Sequence, residues 1–148
     1  MSIKNTLITA AIGTNGKEAA FGGAVAVVGS AISAFLGGWD ALLKLLILCM
    51  IFDYATGFLG AVKRKKVNSD VMFWGGIRKI VVLVVIGLAV LCDQMLGNES
   101  PVFRTLALYF YIGREGLSIV ENLGVLGVPM PAFFKQMMEQ LHEKGEAK

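Results

Sequence analysis

Residues 19–38 read AAFGGAVAVVGSAISAFLGG and carry no charge. A helix rises about 1.5 Å per residue, so a run of about 20 covers the roughly 30 Å of hydrocarbon in a bilayer. The stretch therefore predicts a membrane-spanning helix. A secretory signal peptide is the other reading, but the apolar run is too long for one. The leader before it, residues 1–18, is also long and barely basic, with an amphipathic turn through Ile3, Leu7, Ile8 and Ile12.

Outward from this stretch, three more segments follow. Residues 41–62, ALLKLLILCMIFDYATGFLGAV, form a second predicted span with Lys44 near one end and Asp53 in the middle. A basic loop, Lys63-Arg64-Lys65-Lys66, runs on to Arg78-Lys79. The third span is predicted over 78–97, with Asp93 near its far end, and Asn98-Glu99-Ser100-Pro101 reads as a turn. The fourth segment, 102–124, holds Arg104, Arg114, Glu115 and Glu121. A centred charge costs at least about 2.5 kcal/mol on insertion scales, so this helix cannot face lipid on all sides. Tyr111, Arg114, Glu115, Ser118, Glu121 and Asn122 recur at helical spacing and share one face, with Phe110, Gly113, Leu117 and Val120 largely opposite. Such a one-sided helix either packs inside an assembly or lies at the interface.

Pro129 and Pro131 end that helix, and Pro131 can open another. In the tail, Phe134, Met137, Met138 and Leu141 oppose Lys135, Gln136, Glu139, Gln140 and Glu143. This is an amphipathic helix suited to a membrane surface or a partner helix. The expected fold is all-α: a polar leader 1–18, a membrane domain 19–128 of about four transmembrane helices, and a cytoplasmic tail helix 129–148.

Of the 148 residues, 55% are apolar, and what remains outside the apolar blocks is too little for a water-soluble core. The net charge of +3 gives no nucleic-acid signal. Cys49 and Cys92 lie inside apolar runs and read as small buried hydrophobes rather than a disulfide. There is no CxxC, and the one histidine, His142, is far from both cysteines, so no metal site is expected. No phosphate-binding Gly-rich loop, HExxH or Ser-His-Asp set is present. The reading is a protein without catalytic residues or cofactor.

Charge placement orients the chain, because basic residues in short loops mark the cytoplasmic side. With four spans and both ends inside, the inner segments hold eleven of the fourteen basic residues, and the outer turns hold Asp40 and Glu99. A three-span arrangement would put a lysine-bearing end outside.

Three constellations carry functional expectations. Gly22, Ala26 and Ser30, with Gly29, Ser33 and Gly37 beside them, make a small-residue stripe that permits close helix approach, within one chain or between copies. Asp53, Gly57 and Gly60 share one face of the second span. A carboxylate at that depth must be neutral, paired or wetted: it belongs to a pore wall, to a contact between protomers, or to an internal pair with Lys44, Arg78 or Arg114. The basic loop Lys63–Lys66, with Arg78 and Lys79, reads as a topology determinant that meets anionic lipid, the latter two reaching the headgroups.

The order of these residues resembles a known family. Asp53-Tyr54-Ala55-Thr56-Gly57, the basic loop, Ser69, Gly75-Gly76-Ile77-Arg78-Lys79 and Asp93 form one block. Glu115, Ser118-Ile119, Glu121-Asn122, Gly124, Gly127, Pro129 and Pro131 form the second. Together they are similar to phage holins of the toxin-secretion/phage-lysis type, which include clostridial toxin-export holins. The resemblance covers roughly 40–141, leaving out the leader and first span. One departure is Arg114, where the family commonly has a small polar residue. The resemblance implies a non-enzymatic protein that homo-oligomerises in the bacterial cytoplasmic membrane. It implies lesions that release a muralytic endolysin, or a large toxin, without direct binding to that cargo. Asp53, Gly57, Gly60, Asp93, Arg114, Glu115, Ser118, Glu121 and Asn122 are then the candidate pore or protomer contacts. The rival classes are a small transporter or ion-channel subunit, with Asp53 as a proton or cation site, and a membrane scaffold acting through its tail.

The four-span reading is open to a direct check. A cysteine placed at Lys148 should resist an impermeant maleimide in intact cells and react after lysis. Labelling from outside would overturn the tail-inside arrangement.

Overall fold

The computed structural model describes residues 16–146; the leader's turn through Ile3 to Ile12 lies outside the described residues. Five helices are described: α1 Gly16–Phe35, α2 Ala41–Lys63, α3 Ser69–Met95, α4 Val102–Leu126 and α5 Ala132–Gly145. They divide into two units, α1 and the four-helix unit that begins at Leu36. By length and composition α1, α2 and α3 are apolar enough to cross a membrane. The charges of α4 keep it from meeting that measure.

Two boundaries differ from the sequence reading. First, α1 ends at Phe35, because Gly37 and Gly38 take the left-handed region with φ +77° and +102°. Gly37 is therefore not part of the helical stripe, whereas Gly22, Ala26, Gly29, Ser30 and Ser33 lie on α1. A Cβ at Gly37 would also stand 2.6 Å from Arg104 Nε, so glycine is required there for space as well as for φ. Second, α3 begins at Ser69 rather than near 78. The Asn68 side chain accepts from the backbone N–H groups of Asp70 (2.9 Å) and Val71 (3.2 Å), which starts the helix where the chain is still polar. Hydropathy marks where lipid begins; the cap marks where the helix begins. Arg78 and Lys79 consequently sit inside α3, not at its start.

Asp40 caps α2 by accepting from Leu43 N at 2.9 Å. Within the four-helix unit, α4 is the central element: α2, α3 and α5 all pack on it, whereas α2 and α3 barely touch. α2 and α4 are parallel and coextensive. Arg104 meets Asp40 at one end, and Lys63 Nζ donates to Leu126 O (2.8 Å) at the other. The dry core lies toward the Asp40 end, built from Leu43, Leu46, Cys49 and Met50 of α2, Val82 and Ile86 of α3, and Leu108 and Ile112 of α4. Cys49 is buried there, but Cys92 is exposed, against the expectation for it. Cys92 precedes buried Asp93 by one residue and so turns away from the α3 face that packs on α4.

Gly127, at φ +82°, ends α4 in a left-handed cap, and the prolines that follow redirect the chain into α5. α5 then doubles back along α4, so the partner helix that its apolar face suited is in the same chain. A Cβ at Gly113 would collide with backbone atoms of Met138 and His142, one at Gly116 with the Met138 side chain, and one at Gly145 with the Phe110 backbone. Met138 is buried, and the His142 ring lies 4.4 Å from that of Phe110. Glycine at these positions lets the two backbones approach.

Gly113→Val should therefore separate α5 from α4, because backbone cannot yield as a side chain can; overpacking of this kind costs about 1–3 kcal/mol. Faster proteolysis of the tail and a lower Tm in detergent are the expected results. Gly124→Ala, with nothing near its Cβ, should leave both unchanged or slightly improved.

Candidate functional site: a charged layer between three helices

Asp53 on α2, Lys79 on α3 and Glu115 on α4 meet at one level. Lys79 Nζ donates to Asp53 Oδ2 at 2.8 Å and also to Glu115 Oε2. Asn122, two turns beyond Glu115 on the same face, donates to Asp53 Oδ1 (2.9 Å), to the Asp53 carbonyl (3.2 Å) and to Thr56 Oγ1 (3.3 Å). Gly57 and Gly60 allow the approach of α2 to α4: a Cβ at either would lie 3.5 Å from Asn122 or Val125. The Asp53-Gly57-Gly60 row is thus in use inside the protomer.

The group lies deep. Asp53 follows Asp40 by thirteen residues, and Glu115 follows Val102 by thirteen, which places both about 20 Å along their helices. Two carboxylates share one ammonium, a net charge of −1 in a setting where unpaired charge is unfavourable. Below this layer, toward the Lys63 end, α2 and α3 diverge around a cavity of about 700 Å³ with α4 at its back. Arg78, Arg114 and Ser118 line it, together with Lys66 from the loop. Arg78 and Arg114 are exposed, and no ion pair or side-chain hydrogen bond is described for either. Glu121 is also exposed, farther along α4.

Sequence reading and structure part at Lys79. It does not reach for the headgroups; it is the partner of Asp53, a role expected of Lys44, Arg78 or Arg114. The usable signal was the spacing Lys79, Val82, Ile86, Val90, Asp93, which keeps to one helical face, and the last four are buried. Arg78, one residue back, is turned about 100° from that face. In the basic loop, Lys63 reaches Leu126 O, Arg64 closes α2, and Lys65 takes φ +54°.

Asp93, singled out as a contact residue, serves instead as the cap of α4, whose own N-cap position holds Pro101. Its Oδ2 accepts from Arg104 N (2.9 Å), and its Oδ1 from Phe103 N (3.0 Å) and Asn98 Nδ2 (2.8 Å). Arg104, which the sequence reading noted only as a charge, is buried beside it. Its guanidinium donates to Asp40 Oδ2 at 2.6 Å, Leu36 O at 2.7 Å and Gly38 O at 3.2 Å. The Arg104 hydrogen bond holds the Asp40 carboxyl below the usual carboxylate range, against the opposing effect of burial. This second charged cluster closes the Asp40 end of the unit.

A helical membrane protein whose helices are tied by half-buried ion pairs, with two exposed arginines lining a cleft between them, is the class these features define. The bacteriophage holin family matches residues 30–143, and the chain belongs to that family. A protein of Bacillus phage phi105 described as "Probable holin" is 31% identical over 115 residues, covering 78% of this chain and 84% of that one. An uncharacterised protein of Clostridium perfringens is 39% identical over 124 residues (84% and 92% of the two chains). Another, of Halalkalibacterium halodurans, is 34% identical over 129 residues (84% and 95%). No solved structure matches.

Lys79→Met should destabilise the unit strongly, since it strands two carboxylates; removing one partner of a buried pair costs about 3–5 kcal/mol. Thermal unfolding in detergent measures this. The triple variant Asp53→Asn, Lys79→Met, Glu115→Gln should recover much of the loss, whereas a single Lys79→Met variant as stable as wild type would deny the tie its role.

Proposed function

We propose that the chain homo-oligomerises in the bacterial cytoplasmic membrane and opens lesions through which a muralytic endolysin reaches the cell wall. The observation that carries the reading, beside family membership, is the charged layer: Asp53, Lys79 and Glu115 satisfied within the protomer, Arg78 and Arg114 exposed one residue away and without partners among the described residues. Lipid is a poor neighbour for those arginines. Lone protomers keep the layer as closed as their packing allows. Accumulated copies relieve it by surrounding water together, so the polar faces of Asp53, Gly57, Ser118, Glu121 and Asn122 become the wall of a lesion or contacts between copies.

We read the chain as crossing the bilayer four times, with the N-terminus, the Lys63 loop and the α4–α5 turn on the cytoplasmic side and α5 folded back along α4. α4 supports this because it runs beside α2 from end to end, so it shares whatever path α2 takes. Two of its four charges, Arg104 and Glu115, are buried, and α2, α3 and α5 all pack on it. The basic loop at the Lys63 end supports the inside assignment. No substrate or cofactor enters the proposal, and the residues give no sign of a toxin as cargo.

Induced expression in bacteria tests it. The membrane potential should hold, then collapse abruptly, and co-expressed endolysin should lyse the culture at that moment. Arg114→Leu with Glu121→Leu, at equal protein levels, should lengthen the delay severalfold, because the lone protomer loses its reason to assemble. A graded flux of one small solute, with no passage of endolysin, would show a channel instead.

A further inference from the structure

We infer that the cavity between α2 and α3 is a seat for one anionic phospholipid. Its phosphate is held by Arg78 and Arg114, and an acyl chain lies along Phe58 and Trp74. Four cations line the cavity (Lys66, Arg78, Lys79 and Arg114) against two carboxylates, Asp53 and Glu115, which leaves it net positive by two. Lys79 is taken up by both carboxylates, so the positive charge available to a ligand is that of Arg78, Arg114 and Lys66. A planar guanidinium binds phosphate oxygens in pairs, and two of them on neighbouring helices suit one phosphate.

The rest of the cavity is greasy. Tyr54, Phe58, Val71 and Trp74 form its walls, and Phe58, Val71 and Trp74 are exposed. Water alone would wet those rings, and a free phosphate would leave them uncovered. A lipid satisfies both surfaces at once. The cavity also reaches from the charged layer to Lys66 and Asn68 at the loop, so a headgroup can enter it from the basic Lys63 end. A second copy is a poorer occupant, because its corresponding surface carries the same excess of positive charge. About 700 Å³ suits a headgroup and the upper part of an acyl chain, not a whole helix. The inference rests on the four-crossing arrangement and not on lesion formation.

Native mass spectrometry of the full chain, released from nanodiscs holding equal phosphatidylglycerol and phosphatidylcholine, tests the seat. The wild type should retain one phosphatidylglycerol per chain, preferred about tenfold or more over phosphatidylcholine. Arg78→Gln with Arg114→Gln should lose the preference, Arg78→Lys with Arg114→Lys should keep part of it, and Lys135→Gln with Lys144→Gln on the outer face of α5 should keep all of it. The partial rescue by lysine separates a lost site from a lost fold. Equal retention of the two lipids by wild type would overturn the seat, as would an unchanged preference in the glutamine variant. Displacement of the lipid by millimolar inorganic phosphate would mean a free-anion site, and disulfide-linked dimers of Phe58→Cys in a chain carrying Cys49→Ala and Cys92→Ala would mean a second copy; either overturns the proposal. Lipid retention by a protein whose expression leaves the membrane potential intact would keep the seat while removing the lesion reading.

Discussion

One ammonium group joins three helices. In lipid there is little hydrophobic drive between helices, so packing, hydrogen bonds and ion pairs carry most of the association. α2 and α3 hardly touch each other, and each depends on α4. Lys79 crosses from α3 to a carboxylate on each of the other two helices, and Asn122 then fixes the Asp53 carboxylate in place. Around that point the α2 glycines fall against Asn122 and Val125 of α4. Had Asp53 been satisfied by a residue on its own helix, no such three-way junction would follow. Two acids share one base in the tie, and Arg78 and Arg114 line the cavity beside it.

The two ends of the four-helix unit are built differently. At the Asp40 end, Arg104 gathers a carboxylate and two backbone carbonyls, Asp93 caps α4, and a dry core of leucine and isoleucine begins within a turn. Buried charge is fully satisfied there, and a satisfied network rigidifies. Toward the Lys63 end the cavity opens between α2 and α3, with Arg78, Arg114 and Lys66 on its walls, while Lys63 ties the end of α2 to the end of α4. The firm polar contacts are gathered at the Asp40 end, and the exposed arginines stand beside the cavity. This asymmetry, more than any single residue, is what the switch proposal depends on.

Much of this was legible in the sequence. The three apolar helices followed from run length, the polar face of α4 from three- and four-residue spacing, and the tail helix from its opposed faces after Pro131. The family followed from motif order. What stayed hidden depended on rotation and on caps. Whether Arg78 or Lys79 faces α2 is a matter of about 100° of helix rotation, which hydropathy does not report. The start of α3 was hidden by its polar first turns, although Asn68 is a good capping residue. Gly37 fits a four-residue stripe as well as it fits a turn; only the closeness of Arg104 decides between them. Asp93 looked like an isolated acid because its partners are mostly backbone N–H groups, which no pattern of side chains reveals.

The position of α5 constrains how protomers can be arranged. It covers α4 from the region of Leu126 back to Phe110, about 24 Å of helix. If α4 crosses beside α2, α5 lies within the thickness of the bilayer along most of that length. Its outward residues Lys135, Gln136, Gln140, Glu143 and Lys144 are exposed, and five such side chains in a row against lipid would oppose insertion far more than the buried Met138 favours it. The α4–α5 hairpin must then present its outer side to water or to another protomer's polar surface, leaving the exposed apolar faces of α2 and α3 for lipid. Gly113 and Gly116, where any side chain would meet Met138 or His142, hold α5 against α4.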